Sequence, residues 1–406
     1  MSIHTNLHGR LRNTPLSRNH GLLPLFEAVV NSIHSIEELS DDTAQGEMNE
    51  WEYAPRLSVV YDINGEGSSK VWGFMGRYYD PIRNDMTSFA GTLTGSVREE
   101  QIYAGGQWLT FRTRGGAQTV DGYFSPTTET PYTDEMMLGY STSLTEDMSI
   151  EFAYTDRKTR DIMEDYDLAT YANAGDYSLP LSYFGFAEAP DSNYVIGTLK
   201  GGKRDYQGVE VAFRKHKADN WQALASYTYN DAKGNTNSDG NADLQGDLLF
   251  LDPRAPNLYG PQPGNIEHQL KFAGSYFWDN GFEVGAIYNW NSGTLYSTTS
   301  SLYGRHIGIR VEDAYVDGGI NERWLAEGVQ GANRGDSYGT LDLRAKYSTD
   351  FSGYKAEFFL DIFNFFDDQA SNRNQDLQNP SDGTVFGQGT GWVDPRQFYL
   401  GARVSF

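Results

Sequence analysis

The residues of this chain that could do chemistry are few, and the first group has the spacing of calcium ligands. Side-chain oxygens stand at alternate positions of the segment 235–246, on Asn235, Asn237, Asp239, Asn241 and Asp243. A calcium-binding loop uses this spacing but ends on a bidentate Glu, and Gly246 stands in that place here. The group is therefore a weak calcium-loop candidate, and a solvated acidic loop is the favoured interpretation.

Histidines and cysteines do not supply a second kind of site. His216 and His268 have no partner at metal-ligand or catalytic-triad spacing, and the other histidines are scattered along the sequence. The chain has no cysteine, which excludes a disulfide framework. The sequence therefore predicts no enzyme, no catalytic residues, no metal and no cofactor.

A second polar group lies near the start of the chain. Apolar residues recur at helical spacing over 20–38, which predicts one amphipathic helix with Glu27 and Asn31 together on its polar face. This segment resembles the start of a GHKL-type ATPase domain. The resemblance implies that Glu27 would orient the attacking water and that Asn31 would bind the magnesium of a nucleotide. His34 stands where that family has an Asp.

The rest of an ATP site is not recognisable further along the sequence. The nearest candidate for its Asp-x-Gly-x-Gly turn, Asp62–Gly67, has one residue too many between Asp62 and Gly65. Asn64–Gly65 is instead typical of a tight β-hairpin. We therefore interpret residues 1–50 as a helical ATPase-like stub without its site, in which Glu27 and Asn31 are vestigial.

The rest of the chain has the pattern of β-strands, and this pattern is clearest in the last eleven residues, 396–406. Apolar side chains occupy every second position of this stretch, at Phe398, Leu400, Ala402, Val404 and Phe406. Such a strand suits a bilayer, where one face meets lipid, the other lines a lumen, and about 9–11 residues suffice to cross. The pattern resembles the C-terminal signal by which barrel-assembly machinery recognises bacterial outer-membrane barrels.

Composition supports a membrane barrel. The chain of 406 residues contains 27 Tyr, 22 Phe and 8 Trp, yet only 38% of it is hydrophobic. It has no run near the ~18 apolar residues that a membrane helix needs, whereas barrels combine aromatic girdles with alternating polarity. A formal charge of -23 argues against a nucleic-acid partner.

Alternating apolar and polar residues recur throughout the chain, and they predict eleven strands. The candidates are 55–63, 69–79, 134–146, 148–157, 205–216, 220–230, 266–278, 281–291, 336–348, 353–366 and 396–406. The links between them are alternately short and long, as in outer-membrane barrels with periplasmic turns and extracellular loops. Segments 93–104 and 107–114 could add one hairpin within the first long link. Because a closed up-and-down barrel needs an even number of strands, 11–13 strands predict a partial antiparallel transmembrane β-barrel.

The residues also carry a family resemblance. The run PRLSVVYDINGEGSSKVWGFMGRYYDPI, followed in order by YQGVEVAFRKHKADNWQALASYTYNDAKG, EHQLKFAGSYFWDNGFEVGAIYNWNSGTLYS and FFLDIFNFFDD, resembles TonB-dependent outer-membrane receptors of the Oar-like group over about residues 51–406. The resemblance implies a barrel of about 22 strands that encloses a plug and imports ligands with energy delivered by TonB. This sequence departs from that pattern because it has no recognisable plug, TonB box or secretion signal.

These observations predict two units, a helical stub over 1–50 and the C-terminal part of a TonB-dependent receptor barrel over 51–406. The predicted location is the outer membrane, and the predicted function is binding or uptake of an extracellular ligand. Expected partners are outer-membrane lipid and lipopolysaccharide, the barrel-assembly machinery, and the TonB system if a plug is supplied. The alternative is a soluble GHKL-type ATP-binding protein.

Overall fold

The computed structural model describes most of the predicted barrel region. The described residues are 52–80, 123–168, 179–190, 194–198, 200–236, 259–262, 264–298, 330–351, 353–376 and 382–405, with short segments outside these ranges.

One antiparallel sheet dominates the structure, and each of its strands pairs with the next along the chain. Its strands are β1 Leu25–Ala28, β2 Arg56–Asp62, β3 Ser69–Tyr79, β4 Tyr132–Ser143, β5 Met148–Arg160, β6 Lys203–Ala218, β7 Trp221–Gly234, β8 His268–Phe277, β9 Phe282–Asn291, β10 Tyr338–Phe351, β11 Tyr354–Phe363 and β12 Gln397–Ser405. The short strand Gly260–Pro261 pairs with the end of β7. All eleven predicted strands are confirmed as β2 to β12.

The helix predicted over 20–38 is wrong where the structure describes it. Leu25–Ala28 forms β1, which pairs antiparallel with β2 so that Leu25 lies opposite Val60. The rest of that segment lies outside the described residues. Helical spacing reflects local sequence alone, whereas the free edge of β2 offers unpaired N–H and C=O groups to any segment that reaches it.

The short links are tight hairpins. Asp219 and Asn220 join β6 to β7 with φ angles of 48° and 66°, as a type I′ turn requires. Between β2 and β3 the positive φ angles lie at Gly65 and Gly67 rather than at an Asn64–Gly65 pair. The amides of these two glycines donate to the Asp62 carboxylate over 3.1 and 2.7 Å. The segment Asp62–Gly67 is therefore a hairpin, as predicted.

The register gives the sheet two unlike faces. Residues directly opposite each other share a face, so that one face carries rows such as Gly73, Leu138, Tyr154, Val209 and Tyr229. We call this the apolar face and the other the polar face. Most of the large hydrophobic side chains that the sheet leaves exposed are on the apolar face, including Met75, Met136, Phe152, Phe272, Phe358 and Leu400. So large an apolar surface would be a liability in water.

Close approach of aromatic rings to glycines covers part of the polar face. Trp72 and Phe74 of β3 are each only 8% exposed there. A Cβ atom on Gly139 of β4 would lie 2.2 Å from the Trp72 ring, so only glycine lets that ring lie flat against the neighbouring strand. A Cβ atom on Gly401 of β12 would likewise lie 2.2 Å from the Phe359 ring of β11.

The long connections contain small structures of their own. Tyr123–Phe124, Met163–Asp167 and Tyr194–Thr198 form a three-stranded sheet over a cluster of Leu168, Phe184 and Val195, beside a 3-10 helix at Leu181–Phe184. Two-stranded pairs are Thr92–Leu93 with Thr119–Val120, Arg98–Ala104 with Gln107–Arg114, Leu295–Tyr296 with Asn333–Arg334, Ser300–Leu302 with Arg305–Ile307, Arg310–Val311 with Ala326–Glu327, Tyr315–Val316 with Gly319–Ile320, and Ser371–Asn374 with Gly389–Trp392. The extra hairpin therefore forms outside the main sheet and adds no strand to it.

The main sheet is open. Among the described residues, no pairing joins β12 back to β1. In the same residues, no helix has the length and apolarity that would let it span a bilayer.

Candidate functional site

The calcium-loop candidate is described only at its first residue. Asn235 is buried, and its amide bridges two backbone groups, accepting from the Lys203 amide over 2.8 Å and donating to the Gly201 carbonyl over 2.8 Å. Its side chain therefore ties the end of β7 to the start of β6. Asn237, Asp239, Asn241 and Asp243 lie outside the described residues, and the loop stays a prediction. Within the described ranges, no cluster of three or more acidic or histidine side chains could hold a metal ion.

Of the ATPase-like pair, the structure describes only Glu27, and it lies in a strand rather than in the predicted helix. Glu27 lies in β1 opposite Ser58, while Asn31 lies outside the described residues.

The predicted assembly signal forms the last strand of the sheet. Its described apolar members lie on the apolar face opposite those of β11, with Phe398 facing Ile362, Leu400 facing Leu360, Ala402 facing Phe358 and Val404 facing Ala356. Leu400 is 81% exposed because β12 is an edge strand. Phe406 lies outside the described residues, and recognition of this strand by assembly machinery stays a prediction.

Ion pairs span the polar face between β9 and β11. The Lys346 ammonium lies 2.6 Å from the Glu283 carboxylate. Arg344 binds Asp361 with two parallel bonds of 2.5 and 2.6 Å and stacks 5.0 Å from the Phe359 ring. Bidentate geometry fixes both partners, so this part of the polar face is neutral and rigid.

A second group on the polar face lies near the ends of β2–β7 that carry the long connections. We call it the polar-face cluster, and its members are Arg56, Tyr78, Glu135, Arg157, Tyr206 and Asn230. Arg157 pairs with Glu135 and lies 5.5 Å from the Tyr206 ring, and the Tyr206 hydroxyl donates to the Asn230 side-chain oxygen over 2.7 Å. Arg56 lies 4.4 Å from the Tyr78 ring. With its side chain 48% exposed, Arg157 retains donors for a ligand.

Sequence reasoning missed this cluster. Its six members come from six different strands, β2 to β7, and each alone is an ordinary polar position in a strand. Alternation in the sequence does not mark them, because the residues that flank Glu135, Arg157 and Tyr206 are themselves mostly polar or charged. Only the register shows that Glu135 lies opposite Arg157 and that Arg157 lies opposite Tyr206.

The long connections that follow β9 and β11 meet beyond the sheet. The Tyr296 ring lies 6.0 Å from the Phe386 ring. Burial raises the pKa of the Tyr296 hydroxyl, and the charge of Asp336 adds to this shift. The Thr384 hydroxyl and amide both donate to the Asp382 carboxylate, which lowers the pKa of Asp382.

Comparison with known proteins identifies the architecture. A family model described as an outer membrane beta barrel domain matches residues 13–398. This chain belongs to that family. The protein is therefore an outer-membrane β-barrel whose apolar face meets lipid and whose polar face lines the lumen. The match also includes most of the segment interpreted as ATPase-like, and no comparison supports the GHKL resemblance.

Solved structures that are similar to this chain are outer-membrane receptors and transporters. The outer-membrane transporter YddB of Escherichia coli is 14% identical with a TM-score of 0.52, and the alignment covers 87% of this chain and 41% of that one. The pyoverdine receptor FpvA of Pseudomonas aeruginosa PAO1 is 15% identical with a TM-score of 0.47, covering 88% and 36%. The ferric preacinetobactin receptor BauA of Acinetobacter baumannii is 12% identical with a TM-score of 0.46, covering 90% and 38%.

These likenesses concern the fold alone. The predicted resemblance to TonB-dependent receptors is confirmed at that level, and the chain spans less than half the length of each of these three structures. Comparison with curated proteins gave no match.

Proposed function

We propose that this chain forms the wall of an outer-membrane receptor that admits an extracellular ligand at the end where its long connections lie. The observation that supports this proposal most directly is that five links of the sheet are tight hairpins at one end, whereas the long connections between its strands all leave from the other end. Outer-membrane barrels keep short turns in the periplasm and long loops outside. The polar-face cluster lies at the same end as the long connections.

The chemistry of the polar-face cluster suits a hydrophilic ligand rich in oxygen atoms. Arg157 offers charged donors, while Glu135 and Asn230 hold it and Tyr206 in place. The role is binding and transport rather than catalysis. TonB coupling, a plug inside the lumen, and contact of β12 with the barrel-assembly machinery belong to the same proposal.

Orientation can be tested by surface labelling, because the chain has no cysteine and any introduced thiol is unique. Glu188→Cys lies in the long connection after β5, and Glu66→Cys lies in the hairpin between β2 and β3; both positions are exposed. The full chain, carried to the periplasm by an added export signal, is treated on intact cells with a membrane-impermeant maleimide.

We expect labelling of Glu188→Cys on intact cells, and labelling of Glu66→Cys only after the outer membrane is permeabilised. Both variants replace a Glu with a Cys. Labelling of permeabilised cells measures the amount of each variant, so that differences in expression can be corrected. The reverse pattern would contradict the proposed orientation, and equal labelling on intact cells would contradict membrane insertion.

A further inference from the structure

A pocket lies on the outer side of the barrel wall, among the long connections that follow β3 and β5. Its volume is about 680 Å³. Arg160 at the end of β5 and Lys203 at the start of β6 form its base, and they lie opposite each other with the parity of the apolar face. The pocket is therefore separate from the polar-face cluster, which lies on the other side of the same strands.

The register places this pocket outside the hydrocarbon of the membrane. Met75 and Met136 lie opposite each other and begin the run of large hydrophobic side chains that extends towards the short turns, which we call the apolar band. Met136 lies opposite Asp156, so Arg160 is four residues further from the apolar band. Four residues of a strand span about 13 Å. A ligand therefore reaches the pocket from water.

Hydrogen bonds between the two long connections hold the walls of the pocket in place. The Thr198 hydroxyl accepts from the Glu129 amide over 3.0 Å and donates to the Glu129 carbonyl over 3.1 Å. The Lys200 amide donates to the Tyr183 hydroxyl over 2.9 Å. The Tyr183 side chain in turn packs against the buried cluster beside the 3-10 helix. The walls are therefore formed before a ligand arrives, which lowers the entropic cost of binding.

The pocket carries charges of both signs. Lys200 and Lys203 contribute ammonium groups, and Glu129 and Asp161 contribute carboxylates. Arg160 is already occupied, because its guanidinium donates to two backbone carbonyls and to a carboxylate of β6. In the part of the chain that the structure describes, no ion pair engages the Lys200 ammonium or the Asp161 carboxylate. These two groups therefore remain available to a ligand.

This mixture of charges favours a ligand that is itself zwitterionic. The two carboxylates would repel an anion, and the ammonium groups and the guanidinium would repel a cation. A neutral sugar would remove water from four charged groups without neutralising any of them. A zwitterion satisfies both sets of charges, and charge-assisted hydrogen bonds are about twice as strong as neutral ones.

We propose that this pocket binds a short peptide through its two free termini. The carboxylate of the peptide accepts from Lys200 and Lys203, and its amino group donates to Asp161 and Glu129. Because these four residues come from three separate segments, a peptide spans them better than a single amino acid, whose two charges share one carbon atom. The volume of the pocket lies within the range of about 300–1,000 Å³ that is usual for small-molecule sites. The site lies outside the lumen, so the inference does not rest on the proposed function.

Three peptides that differ only at their ends test this proposal. Trialanine has both terminal charges, N-acetyl-trialanine keeps only the carboxylate, and trialanine amide keeps only the amino group. The full-length protein is purified in detergent, a heat-modifiable band on gels shows that it has folded, and isothermal titration calorimetry measures its affinity for each peptide. We expect both blocked peptides to bind about tenfold more weakly than trialanine, because each loses its charge-assisted bonds at one end.

Two substitutions assign each end of the peptide to its partner. Lys200→Gln should reduce the preference for trialanine over its amide, and keep the preference over the acetylated peptide. Asp161→Asn should do the reverse, and asparagine tolerates the φ angle of 54° at this position. The controls Lys70→Gln in β3 and Asp279→Asn in the turn between β8 and β9 make the same chemical changes outside the pocket, and they should leave all three affinities unchanged.

Equal affinities for the three peptides would overturn the proposal, as would no binding of trialanine at millimolar concentration. Tighter binding of the neutral sugar maltotriose than of trialanine would also overturn it, and so would an equal loss of both preferences in each pocket variant. Labelling of Glu188→Cys on intact cells reports the orientation separately, so failure of the peptide site and failure of the receptor proposal are distinguishable.

Discussion

The two parts of the barrel wall distribute similar charges differently between their two faces. In β3–β7, the first wall, a cross-strand row of alternating charges lies on the apolar face near the long connections, at Arg77, Asp134, Lys158, Asp205 and Lys233, and Arg157 pairs with Glu135 on the polar face. In β8–β12, the second wall, the pairs Glu283–Lys346 and Arg344–Asp361 lie on the polar face, within the lumen. Strands β8 and β9 contain only 10 residues each and end at the level of the band. The strands of the first wall therefore carry ion pairs on both faces, whereas the described pairs between strands of the second wall lie on the polar face.

The largest expected effect concerns a charge buried on the lipid-facing side of the first wall. The Lys215 side chain has no exposure, and its ammonium is paired with Asp147 of the β4–β5 turn. Asp147→Asn leaves that charge without a counter-ion, so we expect the free energy of unfolding in lipid vesicles to fall by about 3–5 kcal/mol. Adding Lys215→Met should restore most of the loss. The matched change in the second wall, Glu357→Gln beside the 60%-exposed Lys355, should cost below about 0.5 kcal/mol. Equal losses in the two walls would contradict the burial of Lys215.

Two positions along one strand should separate the apolar band from the level at which charged residues begin. Val211 lies within the band of β6, opposite Phe152, whereas Gln207 lies at the level where charges begin. We expect Val211→Arg to cost about 2–4 kcal/mol and Gln207→Arg about 0–1 kcal/mol, because arginine is tolerated near the interface. Denaturant unfolding in vesicles measures both. Similar costs at the two sites would show that the band extends higher than the register indicates.

Substitutions at two glycines that contact aromatic rings should differ in their cost to stability, because one glycine lies inside the sheet and the other at its edge. Gly139→Val would force the buried Trp72 ring aside, since the new Cβ would lie 2.2 Å from it. We expect a loss of about 1–3 kcal/mol. Gly401→Val meets Phe359 at the same distance, but β12 is an edge strand that can shift, so its cost should be smaller. Gly285→Ala, whose Cβ would be 3.3 Å from the Ser275 hydroxyl, is the control.

The smallest expected effect is a dependence on pH in the long connections. Burial, followed by the hydrogen bond to Asp205, raises the pKa of Tyr259 to about 12. Because the folded pKa exceeds the ordinary value near 10, the stabilisation is complete below about pH 10 and is lost as the pH rises through about 12. The stability difference between the unaltered protein and Tyr259→Phe should therefore shrink between pH 10 and 12. For Tyr296→Phe, in a connection of the second wall, the stability difference should also shrink as the pH rises, but without the contribution of a hydrogen-bonded carboxylate. A difference that stays constant to pH 12 would contradict the Tyr259–Asp205 bond.

Strands and hairpins were predictable because their causes are local. Alternation of apolar and polar residues identified β2 to β12, and turn residues such as Asp279–Asn280 identified the short links. β1 could not be identified in this way, because it forms where a free strand edge pairs with a segment whose own spacing is helical. The polar-face cluster and the cross-strand row from Arg77 to Lys233 were also not predictable, since their members are distant in sequence and meet only through strand register.

The sequence by itself determined a membrane barrel, because a period of two residues assigns every side chain to one of two faces whatever the strand pairs with. Tertiary structure alone decided which charges become neighbours. A shift of two residues between strands preserves each face but changes every cross-strand partner, so only the observed register aligns Arg77, Asp134, Lys158, Asp205 and Lys233 in one row.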